Sequence, residues 1–145
     1  MIDYYGIPEW QRNNIKQGAD WITPEGEVIA NSRLTTPADK PRAYAYCSDT
    51  KYLPHLHELL KDVDLLYHEA TFAEADSSRA TITCHSTARQ AAQIAKAAQA
   101  QRLIIGHFSS RYDDENILLQ EAREVFPQTE LASQLLVLQL YETDR

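Results

Sequence analysis

Among the five histidines and 21 acidic residues of this 145-residue chain, Asp49, Glu69, His85 and His107 are the candidates for metal binding or proton transfer. A carboxylate can span two divalent cations with its two oxygens, and carboxylate plus imidazole suits zinc or manganese. Imidazole also exchanges protons near neutral pH, and a neighbouring carboxylate can fix its tautomer. Each residue has a plainer reading beside that one. Asp49 can cap a turn next to Thr50. Glu69 can be an exposed strand-end acid, His85 a cap-region histidine, and His107 a strand-end histidine bonded to backbone. Residue type alone leaves both readings open.

Position narrows the choice. Residues 43–47 form an apolar run that reads as a buried strand and stops at Ser48-Asp49-Thr50. Residues 63–67 form a second and run into His68-Glu69-Ala70-Thr71. Residues 103–106 form a third, ending at His107. In open α/β sheets, ligands bind beyond the carboxyl ends of the strands. Three polar endings in succession imply one site assembled from several loops. His68 alternates with Glu69 along its strand and is expected to be structural.

The helices expected between these strands are amphipathic. Residues 54–61 place Leu56, Leu59 and Leu60 inward. Residues 87–100 follow an N-cap at Ser86 and carry Ala88, Ala91, Ala92, Ala95 and Ala98 on one stripe, which implies close packing on a sheet. A helix capped by Asp113 or Asp114 runs to about Phe126, with Leu118, Ala122 and Val125 inward. Residues 72–84 read as a loop and residues 135–141 as a last strand. Residues 1–41 form a polar connecting segment, holding Gly6, Gly18 and Gly26, with a short helix over 8–17, a strand over 27–34 and a loop over 35–41. Residues 42–145 form the αβ part.

The totals bound the class. One domain is the expectation from length. A hydrophobic share of 43% with 24% charged residues excludes intrinsic disorder. A net charge of −7 excludes a binder that relies on its own basic face to neutralise phosphates. If RNA is handled, cations or another part of the protein must offset the carboxylates. Cys47 and Cys84 show no paired spacing and read as reduced residues of a cytoplasmic protein. No apolar run nears the roughly 20 residues of a membrane span. Asp3 and the Tyr4-Tyr5 pair stand where a secretory signal would need basic and then apolar residues.

Taken in order, Tyr46-Cys47-Ser48-Asp49-Thr50, His68-Glu69-Ala70-Thr71-Phe72, His85-Ser86-Thr87 and Gly106-His107-Phe108-Ser109-Ser110-Arg111-Tyr112 resemble the C-terminal half of the ribonuclease Z family. The resemblance covers most of residues 42–132. It implies a metallo-β-lactamase fold, of which this chain would be the C-terminal half of an αβ/βα sandwich: a mixed sheet with helices on its outer face. It implies a metal-dependent endoribonuclease that trims the 3′ trailer from precursor tRNA, with two divalent ions, zinc or manganese. Asp49 then matches the bridging metal ligand and His107 the last metal histidine. His85 and Glu69 match a catalytic pair at the scissile phosphate. Arg111, Ser109 and Thr87 are candidate phosphate contacts, and Thr71 and Ser86 could bind backbone or phosphate oxygens.

One motif of that family is absent. The His-x-His-x-Asp-His signature, which supplies most of the metal ligands, has no counterpart here. His55-Leu56-His57 begins like it, but Leu59 and Leu60 stand where aspartate and histidine are needed, and i and i+2 do not share a helix face. Two ligands cannot hold two ions tightly. The expectation is a part of a longer protein, inactive alone, that self-associates as a homodimer through a bare apolar sheet face. Two other readings stand beside it: a hydrolase of another small ester, such as an aryl sulfate or phosphodiester, and a non-catalytic assembly domain.

Overall fold

The computed structural model describes residues 4–37 and 40–133. It divides into two compact units, Met1–Lys40 and Pro41–Arg145.

In the first unit, Pro8 leads a 3-10 turn, Glu9–Gln11, and then helix α1 (Arg12–Lys16). Gly18, at φ +100, ends the helical path, as glycine does at such positions. Strands β1 (Trp21–Ile22) and β2 (Val28–Ile29) pair antiparallel. Ile7, Ile15, Trp21, Ile29 and Leu34 form the core of this unit. The strand expected over 27–34 is cut short, because Asn31 opens helix α2 (Asn31–Leu34). The side-chain amide of Asn31 donates to the carbonyls of Ile15 at 2.6 Å and Ala19 at 2.9 Å, and its backbone N–H donates to Asp20 at 2.8 Å. Those bonds to the preceding loop replace a continued ladder.

The second unit carries the sheet. Its strands are β3 (Tyr44–Cys47), β4 (Leu65–Glu69), β5 (Arg102–Gly106) and β6 (Thr129–Leu131), in the order β3-β4-β5-β6, and every neighbouring pair is parallel. The connections carry α3 (Leu56–Leu59), α4 (Ser77–Ile82), α5 (Ala88–Ala97) and α6 (Asn116–Val125). Parallel strands need such crossovers. Ala88, Ala91, Ala92 and Ala95 of α5 meet Leu66, Leu103 and Ile105 of the sheet and Leu118 and Ala122 of α6 in one core. Alanine lets α5 lie close to the sheet. Each of the fully buried Leu66, Leu103 and Ile105 contributes roughly 1.5–3 kcal/mol of apolar burial.

Several local expectations are corrected. Thr87, not Ser86, caps α5: its hydroxyl accepts the N–H of Gln90 at 3.1 Å while the Gln90 side chain accepts the N–H of Thr87 at 2.9 Å. This reciprocal pair satisfies two otherwise orphaned donors. Helix α3 is a single turn, and Leu59 points outward, 84% exposed. Residues 72–84 are not all loop, since a 3-10 turn, Glu74–Asp76, leads into α4. Strand β6 lies before the segment 135–141, which falls outside the described residues. Among the described residues no helix is long and apolar enough to cross a membrane, and Cys47 and Cys84 are free thiols.

Candidate metal centre

Strand register brings the site together. Cys47 pairs with His68, and His68 with Ile105. Asp49 therefore lies two residues past the aligned row, Glu69 one and His107 two, all beyond the carboxyl end of the sheet. Asp49 and His107 both take left-handed backbone conformations, at φ 49 and 62, and so does Cys84, at φ 61, just before His85. Such conformations are uncommon for residues other than glycine, though Asp and His adopt them more readily than most. Among the described residues Asp62 and Gln99, before β4 and β5, take such conformations as well, so three of five lie at this rim. The end of α4 fixes the third loop: the N–H of His85 donates to the carbonyl of Ala80 at 2.8 Å.

Glu69 is the hub. Its carboxylate is 0% exposed. One oxygen accepts the N–H of Thr50 at 3.1 Å and Nδ1–H of His85 at 2.8 Å. The other accepts the N–H of Thr71 at 3.1 Å, the hydroxyl of Thr71 at 2.7 Å and the N–H of Ser86 at 3.2 Å. A buried carboxylate is tolerable only when its lone pairs are used in this way. One acid thus ties the loops after β3 and β4 to the loop before α5. Ser86 adds a bond from its hydroxyl to the carbonyl of Thr50 at 2.8 Å.

The outer layer is more open. His85 is 24% exposed and His107 41%, while Asp49 is 71% exposed. Nε2 of His107 lies 3.0 Å from Oδ1 of Asp49. The His85 and His107 rings lie 5.3 Å apart. Donor atoms of Asp49, His85 and His107 all fall within 4.8 Å of one another. The carboxylate of Asp49 and the imidazole of His107, partly open to solvent, are donor types that zinc takes, with the His85 imidazole beside them. The residues present therefore fit a divalent cation. His85 also lines a cavity of about 160 Å³ with Lys51, Tyr52, Thr81 and Gln90.

The candidate phosphate contacts are placed differently. Arg111 ion-pairs with Asp76 at 3.1 Å and lies over the Phe72 ring at 5.2 Å, and Phe72 in turn meets the edge of His85. The hydroxyl of Tyr112 bonds Asp76, and both the hydroxyl of Tyr112 and the guanidinium of Arg111 hold the Asp76 carboxyl below its ordinary range. Ser109 is half-buried and donates its N–H to the carbonyl of Thr71 at 3.1 Å. Thr87 stands apart from the expectation. It is fully buried, and its hydroxyl both caps α5 and donates to Glu74 at 2.8 Å, which leaves nothing for a phosphate. His68 is buried among the strands, with Nδ1–H donated to the carbonyl of Glu69 at 2.7 Å. His57 turns to the carbonyl of Pro54 and His55 to Glu58, outside the cluster. The central place of Thr71 was not visible in the sequence. Its hydroxyl reaches Glu69, His85 and His107 together, a fact of loop packing rather than of any local pattern.

Comparison with known proteins adds a family. The model of the beta-lactamase superfamily domain matches residues 23–108. Ribonuclease Z of Bacteroides fragilis (strain YCH46) is 58% identical over 140 residues, covering 97% of this chain and 46% of that protein. Ribonuclease Z of Phocaeicola vulgatus is 55% identical over 136 residues, 94% of this chain and 44% of that protein. The chain thus spans about half the length of these relatives. Among solved structures, the metallo-beta-lactamase fold protein YhfI from Bacillus subtilis superposes with a TM-score of 0.56 at 27% identity, covering 60% of this chain and 35% of that one. The parallel sheet, its loaded carboxyl rim and a match over more than half of the residues lead to one conclusion: this chain belongs to the beta-lactamase superfamily domain family.

Proposed function

We propose that the chain supplies one side of the active site of a metal-dependent phosphodiesterase, a ribonuclease Z that removes the 3′ trailer from precursor tRNA. The observation that carries this reading is the placement of the Glu69–His85 pair beside donor atoms of Asp49 and His107. Relatives named ribonuclease Z, 46–58% identical, support the choice of substrate class. Asp49 and His107 would hold divalent cations, with zinc the first candidate, and the remaining ligands would come from sequence outside this chain. Bound cations supply polarisation of the phosphate and activation of water.

The chain's own residues do the rest. Glu69 accepts Nδ1–H of His85, so Nε2 is the nitrogen left toward the substrate, and only in the imidazolium form, with both nitrogens protonated, would it pass a proton to the departing ribose oxygen. The N–H groups of Thr50 and Ser86 hold the carboxylate that orients that ring. Arg111 offers a planar fork for a phosphate, which would compete with Asp76 for it. The reading places the protein in the cytoplasm with both thiols reduced.

The test is a chimera in which this chain replaces the matching segment of the Bacteroides fragilis ribonuclease Z. It is expected to cleave precursor tRNA at the 3′ trailer and to lose that activity with His85→Ala. A folded, metal-loaded chimera that hydrolyses only small diesters or aryl sulfates would sink the tRNA reading. One that folds but retains no stoichiometric metal would favour an assembly domain.

A further inference from the structure

We propose that Thr71 is a positioning residue whose hydroxyl fixes His107 in the tautomer that presents Nε2 to a divalent cation. The proposal rests on His107 being a metal ligand. Thr71 is only 6% exposed, and its Oγ1 lies 2.7 Å from Oε2 of Glu69, 2.9 Å from Nδ1 of His107 and 3.3 Å from Nδ1 of His85. A hydroxyl has one proton to give. The shortest contact takes it, and that partner is a carboxylate oxygen already collecting the N–H groups of Thr71 and Ser86. Oγ1 must then act as acceptor toward His107, so the imidazole donates from Nδ1.

A neutral imidazole carries a single N–H. With Nδ1 protonated, Nε2 of His107 is a bare lone pair, and it is this atom that sits 3.0 Å from Oδ1 of Asp49. Two acceptors at that separation repel unless a cation lies between or beside them. Thr71 thus turns a lone pair, rather than an N–H, toward Asp49. The shorter contact of His85 is with Glu69 itself, at 2.8 Å, so Thr71 is a minor partner there. One buried acid therefore orients two histidines, His85 directly and His107 through the threonine. The carbonyl of Thr71 also accepts the N–H of Ser109, which ties the loop after His107 to the same residue. Outer partners of this kind typically carry 10–100-fold in metal affinity.

The experiment uses the metal-free 145-residue chain and long-range proton–nitrogen NMR correlations of the imidazoles, at a pH about two units above the ordinary histidine value. Wild type is expected to show His107 protonated on Nδ1 and bare on Nε2. Thr71→Val, which keeps the shape and removes the hydroxyl, should lose that preference and weaken Zn²⁺ binding about 10–100-fold in competition with a chromophoric chelator. Thr71→Ser should restore both, which a merely structural threonine would not require. A bare Nδ1 on His107 in wild type, or a valine variant with unchanged tautomer, overturns the proposal directly. A tautomer that follows the variants while Zn²⁺ affinity does not overturns it through its premise, the ligand reading of His107.

Discussion

At the scale of single residues, the site is a gradient from a sealed carboxylate to an open one, and the sealed end holds the shape. Glu69 collects backbone N–H groups of three loops together with Thr71 and His85. Glu69→Gln would turn an amide NH₂ toward donors, so at least one buried partner loses its acceptor. The expected cost is about 2–4 kcal/mol in urea unfolding; a change within experimental error would show that the hub is replaceable. His68 gives a pH test. Burial pushes its pKa below 6.5, partly opposed by the carbonyl and charge of Glu69. Below pH 6.5 the unfolded chain gains a proton there that the folded chain refuses, so stability falls with acid until the lowered folded value is reached. Asp76 works in the same sense but in another window. Its depressed folded pKa contributes stability that is present above about 3.8 and lost as pH drops further. Urea midpoints measured from pH 8 to 5 should slope less in His68→Asn than in wild type; equal slopes would remove His68 as the cause.

At the scale of elements, close approach between neighbouring strands is set by one glycine. A Cβ on Gly106 would lie 2.5 Å from the hydroxyl oxygen of Tyr67 and 3.0 Å from Cβ of Ala132. The Tyr67 ring cannot simply swing away, because it is stacked on Tyr46 at 4.5 Å. Gly106→Ala is expected to cost about 1–3 kcal/mol, and Tyr67→Phe in the same chain to recover part of it, since the hydroxyl is the nearest atom. Additive single effects in a double-mutant cycle would refute that coupling. The strands and α5 were legible in sequence because their signals are intrinsic: short apolar runs and an alanine stripe at helical spacing. Helix α4 was not, since Ala80 is its one buried residue and no apolar periodicity reaches the surface pattern. Leu59 misled for the converse reason, being apolar on a turn that buries little. In the site, Asp49, Glu69 and His107 could be read from strand endings and His85 from the family resemblance, whereas the left-handed turns and the Thr71 bridge arise only from tertiary packing.

At the scale of the whole molecule, the open question is the sheet face that alternates with the helix-packed one. Ala45 and Cys47 of β3 face the helical core, while Tyr44 and Tyr46 stand 53% and 62% exposed on the other side of the strand. Among the described residues β3 is also an edge of the sheet, and exposed edges with aromatic rows invite pairing. On that face Leu65 and Ile104 of the inner strands are buried, 3% and 2% exposed, so the exposed part lies at β3. We expect the isolated 145-residue chain to self-associate through Tyr44 and Tyr46, and Tyr46→Lys to shift it toward monomer in size-exclusion chromatography with light scattering. Charge decides the sign of the salt effect. Each copy carries a formal −7, so association driven by tyrosine burial must overcome like-charge repulsion and should tighten as salt is raised. An interface built on ion pairs would loosen instead, and a wild-type monomer at micromolar concentration in high salt would show that this face needs no cover.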